Sequence, residues 1–211
     1  MTPRDAAAYH GLHVLADDDP RWPIDPIEQA RAACVGGAHV VQLRTKHATD
    51  RQTLEWAEAI RALTRTAGVR FVVNDRFDLA LAAEADGVHL GQGDLPPDRI
   101  PRHLRARLAI GRSTHSLAEA RATCAEDVDY VAFGPVFGTT SKDSEYDARG
   151  TALLREVVAA VAPRPVVAIG GLNADNVPDA RAAGARGVAV ISAVVAAPDP
   201  VSAARALWTE K

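Results

Sequence analysis

Short apolar runs alternate along this chain with longer, alanine-rich segments in which apolar residues recur every three or four positions. The short runs predict β-strands and the longer segments predict helices, in units of roughly 20 to 30 residues. Eight strands are predicted: Leu12–Ala16, Val40–Arg44, Phe71–Asn74, Gly87–Leu90, Leu108–Arg112, Tyr130–Gly134, Val166–Ile169 and Gly187–Ile191.

Regular alternation of strands and helices indicates a parallel sheet, and eight such units predict a closed (β/α)8 TIM barrel. We expect a single domain over residues 1–211, with residues 1–10 as a loose N-terminal tail. An open doubly wound sheet is the alternative, but the first strand lacks the G-x-G-x-x-G turn of that fold. Asp50 and Asp199 are predicted to cap the helices that follow them.

Composition and charge narrow the classes of partner. Hydrophobic residues make up 47% of the chain and charged residues 24%, which is ordinary for a soluble globular protein. The formal charge of −3 provides no basic stripe, so we expect no nucleic-acid partner. Neither a membrane-length apolar stretch nor a signal peptide is apparent, and two cysteines make no disulfide framework. We therefore expect a cytoplasmic enzyme; a homodimer is compatible with the sequence.

The second predicted strand ends in two cations. Because side chains alternate along a strand, Gln42, Arg44 and Lys46 share one face. Packing an amide and two cations against helices would be costly, so this face is expected to point into the barrel mouth. Arginine and lysine together predict an anion site suited to phosphate or pyrophosphate. The alternative is a solvated strand end.

Two carboxylates, Asp75 and Asp94, each follow a predicted strand. The carboxyl ends of neighbouring parallel strands meet at one edge of a sheet, so we expect these two side chains to be neighbours. One or two carboxylates, completed by water and substrate phosphates, are the ligands that Mg²⁺ prefers. The alternative is that Asp75 caps a helix and Asp94 belongs to a turn.

Further polar residues follow the later strands. Ser113 and His115 share a face in GRSTHS, and His89 is expected to be a core or supporting histidine. The long loop after the sixth strand offers hydroxyls and a cation, whereas the seventh and eighth strands end where this fold recurrently binds phosphate. The residues concerned are Thr139, Thr140, Ser141, Lys142, Gly170, Gly171, Ile191 and Ser192.

The ordered set QLRTK, VND, GVHLGQGDLP, GRSTHS, GPVFGTTSK, AIGGLN and AVIS resembles the thiamine phosphate synthase family. The resemblance implies a transferase that joins hydroxymethylpyrimidine diphosphate to hydroxyethylthiazole phosphate and releases pyrophosphate. It implies Mg²⁺ at Asp75 and Asp94 as the cofactor site, and a pyrimidine contact from Ser113. For the pyrimidine diphosphate it implies Gln42, Arg44, Lys46, Asn74 and Lys142; for the thiazole phosphate it implies Thr139, Ser141, Gly171, Ile191 and Ser192.

The implied mechanism is dissociative, with Arg44, Lys46 and Lys142 stabilising the departing pyrophosphate. Two other functions stay open. The related thiazole tautomerase is an isomerase on the same barrel, in which a histidine at the place of His115 acts as acid and base. A barrel that binds a thiamine precursor and regulates a partner without catalysis is the third hypothesis.

Overall fold

The computed structural model describes residues 9–138 and 146–209, and these form a closed barrel of parallel strands. Each strand pairs with the next along the chain, and the last pairs with the first through Val14 and Val190. The predicted TIM barrel is confirmed, and every predicted strand is present within two residues at either end. The strands are β1 (Gly11–Asp17), β2 (Val40–Arg44), β3 (Arg70–Asn74), β4 (Gly87–Leu90), β5 (Ala109–Thr114), β6 (Tyr130–Phe133), β7 (Val166–Ile169) and β8 (Gly187–Val190).

Helices connect the strands and surround the barrel. Thr49 caps the helix that begins at Asp50, because its hydroxyl accepts from the Gln52 N–H; the prediction that Asp50 is the cap is wrong. Asp199 caps the last helix as predicted. The α-helices are α1 (Pro26–Val35), α2 (Asp50–Ala67), α3 (Phe77–Ala82), α4 (Arg102–Arg105), α5 (Leu117–Ala122), α6 (Gly150–Val161), α7 (Val177–Ala182), α8 (Ser192–Val195) and α9 (Pro200–Leu207). In the described ranges, none of the helices has both the length and the apolar character that a bilayer crossing requires.

The core has two layers because strand side chains alternate. On β2, Val41 and Leu43 pack outward against the helices, whereas Val40 packs inside the barrel. The interior layer also contains Leu15 and Tyr130 from other strands. The same alternation that fills the lower barrel with apolar groups carries Gln42 and Arg44 towards its upper end.

The amino-terminal end of the barrel is closed by an aromatic side chain that precedes β1. Tyr9 is fully buried, and its ring stacks on Tyr130 with 5.0 Å between ring centroids. Its hydroxyl donates to the Asp86 carbonyl oxygen at 3.2 Å. The prediction of a loose tail over residues 1–10 is therefore wrong for Tyr9, whereas residues 1–8 lie outside the described part of the chain.

Candidate active site

The carboxyl ends of the strands carry most of the polar residues that the sequence analysis singled out. Arg44 and Asn74 are the last residues of β2 and β3, and Ser113 is the second-last residue of β5. Strand pairing places Arg44 beside Asp17 and Asn74 beside His89. Because active sites of TIM barrels form at this end, these side chains define the candidate site.

Arg44 is held by a buried carboxylate of β1. Its guanidinium donates to Asp17 Oδ2 at 2.5 Å, and the Trp22 indole N–H donates to Asp17 Oδ1 at 2.7 Å. The Asp17 side chain is 1% exposed. The fully buried Gln29 accepts from the Asp17 N–H at 2.7 Å and donates to the Asp17 carbonyl oxygen at 3.0 Å. Charge-assisted bonds of this kind fix the direction in which Arg44 points.

The two carboxylates that we expected to be neighbours do meet, and a lysine joins them. The Lys46 ammonium donates to Asp75 Oδ2 at 2.5 Å, and the Asp75 and Asp94 carboxyls share a hydrogen bond. Burial and the bond to Asp75 raise the pKa of Asp94. Burial also acts to raise the pKa of Asp75, but the hydrogen bonds from Lys46 and Asp94 outweigh it and hold that pKa below its ordinary value.

The backbone at Asp75 explains why this residue is not a helix cap. Its φ of 65° lies in the left-handed region, which is uncommon for residues other than glycine, and its N–H donates to the His89 carbonyl oxygen at 2.8 Å. Helix α3 has Arg76 at its cap position, with no capping side chain. The turn role considered for Asp94 is present, because its Oδ2 accepts from the Gly91 N–H at 2.6 Å.

Ser113 stands at the upper end of a buried polar chain. His89 Nε2 lies 2.8 Å from Ser113 Oγ, and His89 Nδ1 lies 3.0 Å from the Tyr130 hydroxyl oxygen. The expectation that His89 is a core or supporting histidine is confirmed by its burial. Gln92 also reaches this strand end, where its side chain donates to the Ser113 carbonyl oxygen at 2.6 Å.

His115 is fixed on three sides. Its Nδ1 lies 2.7 Å from the Gly134 carbonyl oxygen, and its backbone N–H donates to Glu119 at 2.6 Å. The Tyr146 ring stacks on the imidazole with 4.3 Å between centroids and 15° between planes. The Arg149 guanidinium lies 5.0 Å from the Tyr146 ring centroid. Because a carbonyl oxygen only accepts, Nδ1 carries a proton in either charge state of His115.

The ends of β7 and β8 form a small cavity of about 100 Å³, which His115 and Ser113 also line. Gly170 and Gly171 have φ values of 96° and 65°, a region that favours glycine. A Cβ on Gly171 would lie 2.2 Å from the Gly138 carbonyl oxygen, so this loop is packed closely. Ile191 and Ser192 complete the lining from β8 and the start of α8.

Four residues that the sequence analysis selected cannot be placed. They are Thr139, Thr140, Ser141 and Lys142, which lie outside the described residues. Their predicted contacts with substrate stay predictions.

A family model described as thiamine monophosphate synthase matches residues 12–194, which extend from β1 into α8 and include all eight strands. This chain belongs to the thiamine monophosphate synthase family.

Individual members of the family are similar over nearly their whole lengths. The thiamine-phosphate synthase of Methanoculleus marisnigri is 48% identical over 198 residues, covering 94% of this chain and 93% of that protein. The thiamine-phosphate synthase of Methanoregula boonei is 50% identical over 196 residues, covering 93% and 90%. The solved structure of thiamine phosphate pyrophosphorylase from Pyrococcus furiosus has a TM-score of 0.85 at 38% identity, covering 97% and 95%.

In this member of the thiamine monophosphate synthase family, sequence reasoning missed several residues at the mouth. Asp17 lies in a run of three aspartates, and nothing in the run distinguishes the buried one. Trp22 and Gln29 resemble ordinary loop and helix residues, and Tyr146 lies in the long polar stretch after the sixth strand. The strand pairing of Asp17 with Arg44 was the one available signal, because it sets an acid beside a predicted anion-binding cation.

Proposed function

We propose that this protein is a thiamine phosphate synthase, which joins hydroxymethylpyrimidine diphosphate to hydroxyethylthiazole phosphate and releases pyrophosphate. The observation that carries the proposal is that Lys46 pairs with Asp75 and Asp75 hydrogen-bonds with Asp94, next to Arg44 at the end of strand β2. Cations beside a pair of carboxylates suit a diphosphate leaving group with a bound Mg²⁺. Close relatives named for the same activity support it.

The first chemical step breaks the bond between the pyrimidine methylene carbon and the diphosphate oxygen, and the electron pair leaves with pyrophosphate. Arg44 and Lys46, with Lys142, offset the charge that develops on the leaving group. Gln42 and Asn74 orient the same substrate. The thiazole nitrogen then attacks the pyrimidine-stabilised cation and forms the new C–N bond. Because no protein nucleophile is needed, alignment of the two substrates is the main contribution of the barrel.

Mg²⁺ fits the pair formed by Asp75 and Asp94. No group of three or more histidine, cysteine or acidic side chains comes together within residues 9–138 and 146–209. Mg²⁺ does not require such a group, because it is commonly bound by one or two carboxylates with water and substrate phosphates. Two carboxyls close enough to share a hydrogen bond supply those ligands. When bound, Mg²⁺ adds positive charge beside the diphosphate.

The thiazole phosphate is assigned to the cavity between β7 and β8. Gly171, Ile191 and Ser192 line it, and backbone N–H groups at such strand ends commonly bind phosphate in this fold. The Asn176 side chain donates to the Gly171 carbonyl oxygen at 2.9 Å and stabilises the loop. Thr139 and Ser141 add hydroxyl donors, and Ser113 contacts the pyrimidine between the two sites.

A pyrophosphate-release assay with both substrates tests the proposal, run with Mg²⁺ and again with EDTA. We expect release that requires the thiazole phosphate and Mg²⁺, together with thiamine phosphate as the chromatographic product. Isomerisation of the thiazole phosphate without coupling, abolished in His115→Ala and unaffected by EDTA, would favour the tautomerase instead. Tight substrate binding with no turnover would favour the regulatory hypothesis.

We propose small-molecule substrates and no nucleic-acid partner, in keeping with the formal charge of −3. A cytoplasmic location and a homodimer stay predictions from the sequence. Light scattering on the purified protein measures the oligomeric state directly.

A further inference from the structure

A chain of three polar side chains runs from the interior of the barrel to its mouth. Tyr130 is 1% exposed and His89 is 8% exposed, so both lie in the core. The Tyr130 hydroxyl oxygen is 3.0 Å from His89 Nδ1, and His89 Nε2 is 2.8 Å from Ser113 Oγ. Ser113 is half-buried and lines the cavity at the mouth.

The number of donors and acceptors determines which way the hydrogen bonds between Tyr130, His89 and Ser113 run. In the described part of the chain, His89 is the one hydrogen-bond partner of the Tyr130 hydroxyl. If Tyr130 donates to Nδ1, the neutral imidazole carries its proton on Nε2 and donates to Ser113 Oγ, so every buried group is satisfied. In the reverse direction Nδ1–H would donate to Tyr130, and the tyrosine O–H would be left buried without an acceptor. Such unsatisfied donors are strongly disfavoured.

We infer that Tyr130 and His89 set Ser113 as a hydrogen-bond donor to substrate. Ser113 Oγ already accepts from His89, so its own hydrogen is directed to another acceptor. Among residues 9–138 and 146–209 no other partner of Ser113 Oγ is found, and the hydroxyl borders the substrate cavity. Tyr130 and His89 act through Ser113 and are positioning residues.

Two features of the packing stabilise the hydrogen bonds that join Tyr130, His89 and Ser113. Burial raises the pKa of the Tyr130 hydroxyl well above its ordinary value, so this group keeps the proton that it donates. Gly111 provides the space, because a Cβ there would lie 2.1 Å from Tyr130 Cζ and 2.4 Å from His89 Nδ1. A glycine within strand β5 thus allows the tyrosine to reach the histidine across the barrel interior.

The inferred direction specifies what Ser113 can bind, and this step rests on the proposed function. A donor selects an atom with a lone pair, such as a ring nitrogen of the pyrimidine. The serine hydroxyl is also uncharged. It therefore holds the ring without repelling the pyrimidine-centred cation.

The tautomer of His89 is the direct test, and it requires no substrate. In ¹⁵N-resolved NMR of the full chain, we expect the wild-type His89 to carry its proton on Nε2. In Tyr130→Phe the constraint is removed, and the Nδ1-protonated form should become populated. Tyr9→Phe is the matched control. The buried Tyr9 hydroxyl donates to the Asp86 carbonyl oxygen and takes no part in the hydrogen bonds that join Tyr130, His89 and Ser113. A wild-type His89 protonated on Nδ1 would overturn the inference.

A double-mutant cycle then tests whether Tyr130 acts through Ser113. We expect kcat/KM for the pyrimidine diphosphate to fall roughly tenfold in Tyr130→Phe, the size typical of losing one oriented hydrogen bond. In Ser113→Ala, kcat/KM should fall at least as far. In the double variant it should fall no further than in Ser113→Ala. Independent, multiplying losses contradict the inference. A wild-type protein that makes no thiamine phosphate refutes the proposed function, yet leaves the tautomer result standing as a separate measurement.

Discussion

Lys46 Nζ lies 2.5 Å from Asp75 Oδ2, so a cation assigned to the diphosphate is paired with a carboxylate assigned to Mg²⁺. The lysine side chain is 45% exposed and the aspartate 21%, so the pair is open to solvent and to ligands. A metal ion at Asp75 would replace the charge that Lys46 now supplies. Lys46 would then be available to the diphosphate, which couples metal binding to leaving-group binding.

Asp75→Asn removes the charge from this pair while keeping the size of the side chain. We expect turnover to fall about a hundredfold or more, because the proposed Mg²⁺ would lose a ligand and the charge on the departing pyrophosphate would be less well stabilised. The pyrophosphate-release assay measures the loss, and circular dichroism verifies the fold. Asp98→Asn is the control, since Asp98 is 78% exposed and its ion pair with Arg99 is 3.9 Å long. A near-normal rate in Asp75→Asn would remove this residue from the mechanism.

Asp94→Asn should make the free protein more stable at neutral pH. The pKa of Asp94 is raised in the folded state, so above the ordinary aspartate pKa of about 3.9 the folded state holds more protons than the unfolded state. Its contribution to stability therefore decreases as the pH rises through the folded pKa. The stability gain of the variant, measured by urea titration, should grow as the pH rises above about 4.

Mg²⁺ provides the second arm of the same experiment. Saturating Mg²⁺ should raise the melting temperature of the wild type more than that of Asp94→Asn, because binding to the folded state stabilises it. Equal gains would count against Asp94 as a ligand, and a pH-independent difference in stability would count against the shared hydrogen bond.

Asp17→Asn tests whether Arg44 depends on its buried partner. Asparagine can still accept from Trp22, but Arg44, whose side chain is 16% exposed, loses its opposite charge. We expect the free energy of unfolding to fall by about 1.5–3 kcal/mol, the range for a hydrogen bond to a charged group. We also expect kcat/KM for the pyrimidine diphosphate to fall about tenfold as Arg44 loses its fixed direction.

The neighbouring Asp19 supplies the control for that variant. It pairs with Arg21 at 2.6 Å near the surface, where ion pairs contribute little. Asp19→Asn should therefore leave both stability and catalysis almost unchanged. Equal effects of the two substitutions would contradict a special role for Asp17.

Gly171→Ala should weaken binding of the thiazole phosphate by distorting the loop after β7. The φ of 65° strains any side chain, and the added Cβ would lie 2.2 Å from the Gly138 carbonyl oxygen. Gly68→Ala isolates the strain, since Gly68 has a φ of 70° and a Cβ added there would lie in open space among the described residues. In Gly68→Ala we expect strain to lower the free energy of unfolding by about 1–2 kcal/mol. In Gly171→Ala it should fall by about 1–3 kcal/mol more, because of overpacking. Thermal unfolding measures both values, and equal values would contradict the prediction.

The barrel and the part of its site around Asp75, Asp94 and Lys46 could be predicted, because both follow from local rules. Period-two alternation located the strands, and the rule that parallel strands share an edge brought Asp75 to Asp94. Lys46 was found because packing its charge against the helices would be costly, which predicts that it points into the barrel mouth. The ion pair between Lys46 and Asp75 was not predicted, since it depends on how the loops after β2 and β3 approach each other.

Interior partners were harder to find than the residues they support. Tyr130 has the apolar ring expected of a strand residue in a core, and nothing local indicates that its hydroxyl meets His89 across the barrel. Tyr9 precedes the first regular element, where sequence offers no periodicity to follow. Asp17 is one of three consecutive acids, and only the register of β1 on β2 selects it.

The space at Gly111 links three positions that are distant along the chain. A side chain at 111 would collide with both Tyr130 and His89, so it requires a change at both of those positions. These positions should therefore change together among relatives, by correlated substitution rather than one at a time. Barrels of this family are then expected to divide into two groups: those that keep glycine, tyrosine and histidine together, and those that have replaced all three.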